Sequence, residues 1–182
     1  MSSATQPESK AATLMRRLAS SVVLLGVVFY GLLGDSSISV FLVGGIIMLL
    51  NVAGLLEFYG MVNANGLPRF KWLGLAGGVT LVGALFLHLS GLAKLPVHAA
   101  ELELGILAVL LLVLLARRVF AHPAQPSFSM VGHTMLGVLY VSWLLGFLLK
   151  IYFFEAPGSV GFDTGYCLLF FILATKCSDI GA

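Results

Sequence analysis

Ile38-Ser39-Val40-Phe41-Leu42-Val43-Gly44-Gly45-Ile46-Ile47-Met48-Leu49-Leu50-Asn51-Val52-Ala53-Gly54-Leu55-Leu56 contains no charged side chain. At 1.5 Å per residue a helix of that length spans ~28 Å, close to the ~30 Å hydrocarbon core of a bilayer. Turn signals stand on either side, Gly34-Asp35-Ser36-Ser37 before it and Asn63-Ala64-Asn65-Gly66-Leu67-Pro68 after it. The same alternation runs along the whole chain. Further apolar runs cover residues 18–33, 72–92, 102–116, 131–154 and 166–176. They are separated by Pro96, by His122-Pro123-Ala124-Gln125-Pro126 and by Ala156-Pro157-Gly158-Ser159. The fourth run is short and lengthens if Ala99 and Ala100 join it. In lipid every backbone polar group must be satisfied inside its own segment, so such runs are helices. The pattern predicts an all-α, polytopic membrane helix bundle with about six transmembrane helices.

Composition agrees. Of 182 residues 59% are hydrophobic and 10% charged, with a mean hydropathy of +1.05, whereas soluble domains carry about 25% charged residues. The net charge of +2 is small and spread along the chain, which excludes a nucleic-acid footprint. Cys167 and Cys177 stand ~15 Å apart on one helix, beyond disulfide reach of about 7 Å. Residues 1–15 are polar and small and predict a mobile cytoplasmic tail. Arg16 and Arg17 introduce the run 18–33, which is longer than a signal-peptide core and has no Ala-x-Ala-like site after it. It reads as the first helix of a transmembrane region covering 16–182.

Orientation follows from the basic residues. With the tail cytoplasmic, Arg16, Arg17, Arg69, Lys71, Arg117, Arg118 and Lys176 lie inside and only Lys94 and Lys150 outside. Asp35, Glu101, Glu103, Glu155 and Asp163 then fall on the external side. Two acidic residues end helices on the cytoplasmic side, Glu57 in Leu55-Leu56-Glu57-Phe58-Tyr59 and Asp179 in Lys176-Cys177-Ser178-Asp179. Charge at membrane depth is costly and marks function, whereas a helix-end carboxylate in water needs no function. His88, His98, His122 and His133 have no metal-ligand spacing. Trp72, Trp143, Tyr30, Tyr140 and Tyr152 suit interfacial or packing roles. Gly74-x-x-x-Gly78 matches the small-residue pattern for close helix approach, but with 21 glycines chance provides such a match. No P-loop, dinucleotide-binding glycine pattern, Gly-x-Ser-x-Gly elbow or His-Glu-x-x-His motif is present.

The closing Ser178-Asp179-Ile180-Gly181-Ala182 resembles the start of the signature segment of the phosphatidate cytidylyltransferase (CDP-diacylglycerol synthase) family. In that family an Asp-x-Gly-Ala-Tyr run precedes a glycine-rich stretch and a Ser-Pro-x-Lys-Thr-x-Glu-Gly motif. Arg16-Arg17, Leu56-Glu57-Phe58-Tyr59 and Gly137-Val138-Leu139-Tyr140-Val141 are similar to further family features in the same order. The sequence stops one residue before the expected tyrosine, so the resemblance implies an amino-terminal portion of a longer enzyme, inactive alone, with more helices to follow.

The resemblance also implies the chemistry. A phosphatidate phosphate oxygen attacks the α-phosphorus of CTP, and pyrophosphate leaves as CDP-diacylglycerol forms. Mg²⁺, bound by one or two carboxylates and by phosphates, is the implied cofactor. Asp179 is the implied catalytic residue and metal ligand. Lys176, on the same helical face, and Ser178 are candidate substrate-binding residues. Lys176 also reads as a positive-inside anchor, and Ser178 as a helix cap. The expected partners are CTP, phosphatidate and the bilayer, with no nucleic acid, and the resemblance is compatible with a homodimer. The expected location is the bacterial inner (cell) membrane, with the amino terminus and Asp179 cytoplasmic. Two rivals stay open at this point. One is another CTP-dependent lipid or polyprenol kinase. The other is a non-enzymatic transporter or assembly protein, in which Asp179 merely ends a helix.

Overall fold

The computed structural model describes residue 15 and residues 26–32, 34, 36–93, 96–120, 128–154 and 164–181. The expected tail, apart from Met15, and Arg16 and Arg17 lie outside these residues. Helix α1 is described over residues 26–32, and α2 (Ser37–Ala64), α3 (Lys71–Leu89), α4 (Ala99–Phe120), α5 (Phe128–Tyr152) and α6 (Thr164–Gly181) follow. Helices α2 to α5 are each long and apolar enough to cross a membrane. Their outward residues include Leu49, Leu104, Val109 and Leu112, so the outer surface is as apolar as the interior. Such a surface has no place in water, and the protein is an integral membrane helix bundle.

Local chemistry sets the helix ends. Ser36 caps α2, its side-chain oxygen accepting from the Ser39 N–H at 3.3 Å. Buried Ser39 donates its hydroxyl back to the carbonyls of Ser36 and Gly34. Helix α2 then runs about two turns past residue 56, since Glu57 to Ala64 includes no proline and the single Gly60 is tolerated inside the helix. Gly66 stops it by adopting φ +68°, which a side chain would disfavour. The Gly66 N–H donates to Asn63 O at 2.9 Å and the Leu67 N–H to Val62 O at 3.1 Å. These two bonds satisfy the last carbonyls of the helix, and Pro68 prevents its continuation.

Helix α3 is central, packing on α2, α4 and α5. Its small residues let the neighbours approach. A Cβ on Gly74 would overlap the Tyr59 hydroxyl, and one on Gly78 would overlap Ser142 Oγ. The Gly74-x-x-x-Gly78 pattern therefore serves packing, which composition could not decide. On its other side Tyr59 lies against Gly137, so its ring fills a slot between α3 and α5. Replacing Gly74 by Ala is expected to destabilise the bundle by about 1–3 kcal/mol through overpacking, seen as earlier unfolding in detergent. Removing the ring as well, with Tyr59→Leu, should recover part of that loss. Strictly additive effects of the two changes would rule out the slot.

Two apolar layers fill the interior. One joins Leu81, Leu107, Leu110, Leu114, Val131 and Val138 of α3, α4 and α5. The other, toward the opposite end, joins α1, α2, α3, α5 and α6 through Leu32, Ile47, Leu85, Leu149, Tyr152 and Leu168. Within α5, Val138–Trp143 widens into a π-helical stretch, a feature that often marks functional positions. It lies where Ser142 meets α3 and Trp143 meets α4.

Candidate functional site

Helix α6 begins inside the bundle and leaves it. Leu168 is buried in the layer that contains Ile47 and Leu149, and with Ile172 it borders an apolar cavity of about 260 Å³ shared with α1, α2 and α5. Among α2 to α5, only α5 packs against α6, over Leu144–Tyr152. Beyond that contact Leu173, Thr175, Cys177, Ser178 and Asp179 are exposed.

Asp179 lies eleven residues past Leu168, ~16 Å along the helix, whereas α5 continues ~32 Å from Leu149 to Phe128. Asp179 therefore lies past the stretch of α5 that α6 contacts, Leu144–Tyr152. The apolar part of α6, Cys167 to Ala174, covers only ~12 Å.

Lys176 stands three residues before Asp179, on the same face of α6, and its side chain lies outside the described residues. Ser178 precedes Asp179 directly and is exposed. The Thr175 hydroxyl turns back to Phe171 O and Ile172 O at 3.1 and 2.9 Å. No group of three His, Cys, Asp or Glu side chains comes together among the described residues. A single carboxylate that leaves further positions to phosphate oxygens and water suits Mg²⁺, which is rarely held by an all-protein cage. Glu57 is exposed on α2, and α2 does not pack against α6, so the structure does not bring Glu57 to Asp179 through a helix contact.

Two polar clusters escape sequence reasoning. At the basic end Thr134 is a hub. Its hydroxyl accepts from the Phe70 N–H at 2.9 Å and donates to Met130 O at 2.7 Å, while its carbonyl accepts from the Tyr59 hydroxyl at 2.8 Å. His133 Nδ1 lies 3.1 Å from Pro68 O, and Arg69 donates to Asn63 Oδ1 at 2.7 Å. These bonds pin the turn between α2 and α3 onto α5.

The second cluster pairs Glu103, expected on an external loop, with Lys150, expected on the external side. Both lie within helices, and Glu103 is only 4% exposed. Its Oε2 accepts from Lys150 Nζ at 2.7 Å and from Trp143 Nε1 at 3.2 Å, while Oε1 has no hydrogen-bond partner among the described residues. Lys150 Nζ also lies 4.8 Å from the centre of the Phe147 ring. The Trp143 indole is thus a hydrogen-bond donor in this cluster. Deeper in the bundle, Asn51 and Ser142 are fully buried, with side-chain atoms that find no partner among the described residues.

Comparison with known proteins adds one match. A model described as the cytidylyltransferase family covers residues 15–182. No curated protein and no solved structure matches the chain.

Proposed function

The chain belongs to the cytidylyltransferase family, a family of CTP-dependent transferases, and from that premise we propose that it serves phosphatidate cytidylyl transfer at the inner membrane. The observation that carries this reading is Asp179, an exposed carboxylate on α6 that follows a short apolar run and sits inside the family match. Arg69, Lys71, Arg117 and Arg118 mark one end of the bundle as cytoplasmic under the positive-inside rule. CTP arrives from that side, and phosphatidate arrives laterally through the bilayer.

The reaction joins two polyanions. A phosphatidate phosphate oxygen forms a bond to the α-phosphorus of CTP, the bond to the β-phosphate oxygen breaks, and pyrophosphate departs with its electron pair. Mg²⁺ supplies charge neutralisation for the entering and leaving oxygens of such a displacement. Asp179 is the residue of this chain that would hold it. Lys176, on the same face of α6, attracts a phosphate group, and the Ser178 hydroxyl donates to a phosphate oxygen.

Doubly labelled nucleotide tests the reading. Membranes from cells expressing the full reading frame that encodes this chain are given phosphatidate and CTP labelled on either the α- or the γ-phosphorus. Label from the α position is expected to enter the lipid fraction as CDP-diacylglycerol, with none from the γ position. Transfer of γ label to a polyprenol or other lipid alcohol would identify a kinase instead. No transfer of either label would remove the enzymatic reading.

A further inference from the structure

We propose that the groove between α3 and α4 is a binding site for one anionic phospholipid of the leaflet at the basic end, separate from the Asp179 region. The groove has a volume of about 310 Å³ and is lined by Leu73, Gly77, Thr80, Gly105, Ile106 and Val113 among others. Its lining is apolar apart from the Thr80 hydroxyl. The two helices run antiparallel, and Gly77 lets them approach, since a Cβ there would overlap Leu110 at 2.6 Å. Gly105 is different: a Cβ built on it meets nothing within 4 Å, so that glycine opens the floor of the groove.

Length and charge select the occupant. Leu73 to Thr80 spans ~10 Å and Gly105 to Val113 ~12 Å of helix rise. That is close to one leaflet of a ~30 Å hydrocarbon core, and it is too short for a helix that crosses both leaflets. A single acyl chain has that length. At the mouth Arg117 is exposed one turn past Val113, on the same face of α4. Helix α3 carries no acidic residue, and α4 carries none after Glu103. The mouth is therefore cationic at headgroup level, where an anionic phosphate gains from Lys and Arg. Helix α4 does not pack against α6, which separates this groove from Asp179.

The test uses the purified protein in phosphatidylcholine nanodiscs doped with acyl-chain spin-labelled phosphatidylglycerol or, in parallel, spin-labelled phosphatidylcholine. The immobilised fraction in the electron paramagnetic resonance spectrum is expected to be several-fold larger for phosphatidylglycerol. Gly105→Leu, whose side chain enters open space, is expected to abolish that excess. Arg117→Gln, at the surface, should bring phosphatidylglycerol down to the phosphatidylcholine level while the melting temperature stays unchanged. An equal excess in wild type and Gly105→Leu would overturn the proposal, and so would the absence of selectivity in wild type. A dimer that Gly105→Leu dissociates would assign the groove to a second copy and would equally overturn it. Phosphatidylglycerol is not the substrate proposed above, so none of these outcomes bears on cytidylyl transfer.

Discussion

Asp179→Asn abolishes Mg²⁺-dependent formation of CDP-diacylglycerol from CTP and phosphatidate in membranes carrying the full reading frame, a loss of roughly 100-fold or more. The magnitude follows from the role. A metal that neutralises the transferring phosphates lowers the barrier by several kcal/mol, and each 1.36 kcal/mol is about tenfold in rate. Asparagine keeps the size and shape of the side chain but lacks the anionic oxygen that a hard cation selects. Membrane insertion should be unaffected, because the change removes a charge and adds none. Lys176→Gln and Ser178→Ala test the neighbours in the same assay. If the lysine attracts nucleotide phosphate, its loss raises KM for CTP more than it lowers kcat. Turnover near that of wild type in Asp179→Asn would exclude the metal-ligand role, and raised Mg²⁺ requirement in a partly active variant would support it.

Much of the architecture was legible because lipid imposes a one-dimensional rule. A run such as Ile38 to Leu56 has no soluble alternative, and Asn65-Gly66-Leu67-Pro68 contains the left-handed glycine and the proline that end α2. What stayed hidden depends on which faces meet. Gly74 and Gly78 resemble any of the 21 glycines until Tyr59 and Ser142 are seen against them. The π-helical stretch at Val138–Trp143 has no glycine or proline within it to announce it. His133 and Thr134 read as unremarkable polar residues near a helix start, yet they secure a turn more than sixty positions away.

The site divides in the same way. Asp179 could be found from the sequence, because a carboxylate closing a short apolar run is conspicuous and the five residues around it carry a family likeness. How α6 meets the bundle could not, since the apolar runs alone do not fix where it lies against α5; the structure buries Leu168 in the same layer as Leu149.

The ion pair of Glu103 and Lys150 should give the largest stability effect, and an asymmetric one. Forty-seven positions separate the two residues, and each falls near the margin of an apolar run, so sequence reading places both on the external side without pairing them. In the fold Glu103 is 5% exposed at its side chain and Lys150 29%. Lys150→Met leaves a buried carboxylate whose remaining partner is the Trp143 indole. Removing one member of a buried pair costs about 3–5 kcal/mol, and this variant should approach that range. Glu103→Leu leaves a lysine that reaches outward along its own stem and retains the Phe147 ring, so its cost should be smaller. The double variant replaces both charges by apolar groups and should recover most of the loss, because the desolvation penalty disappears together with the attraction. Detergent-induced unfolding followed by tryptophan fluorescence reads all three variants, and Trp143 reports directly on the cluster. Equal small losses in both single variants would mean that the pair is solvated and does not clamp α4 to α5. A large loss in Lys150→Met alone, rescued by the second change, would locate the cost in the unpaired carboxylate.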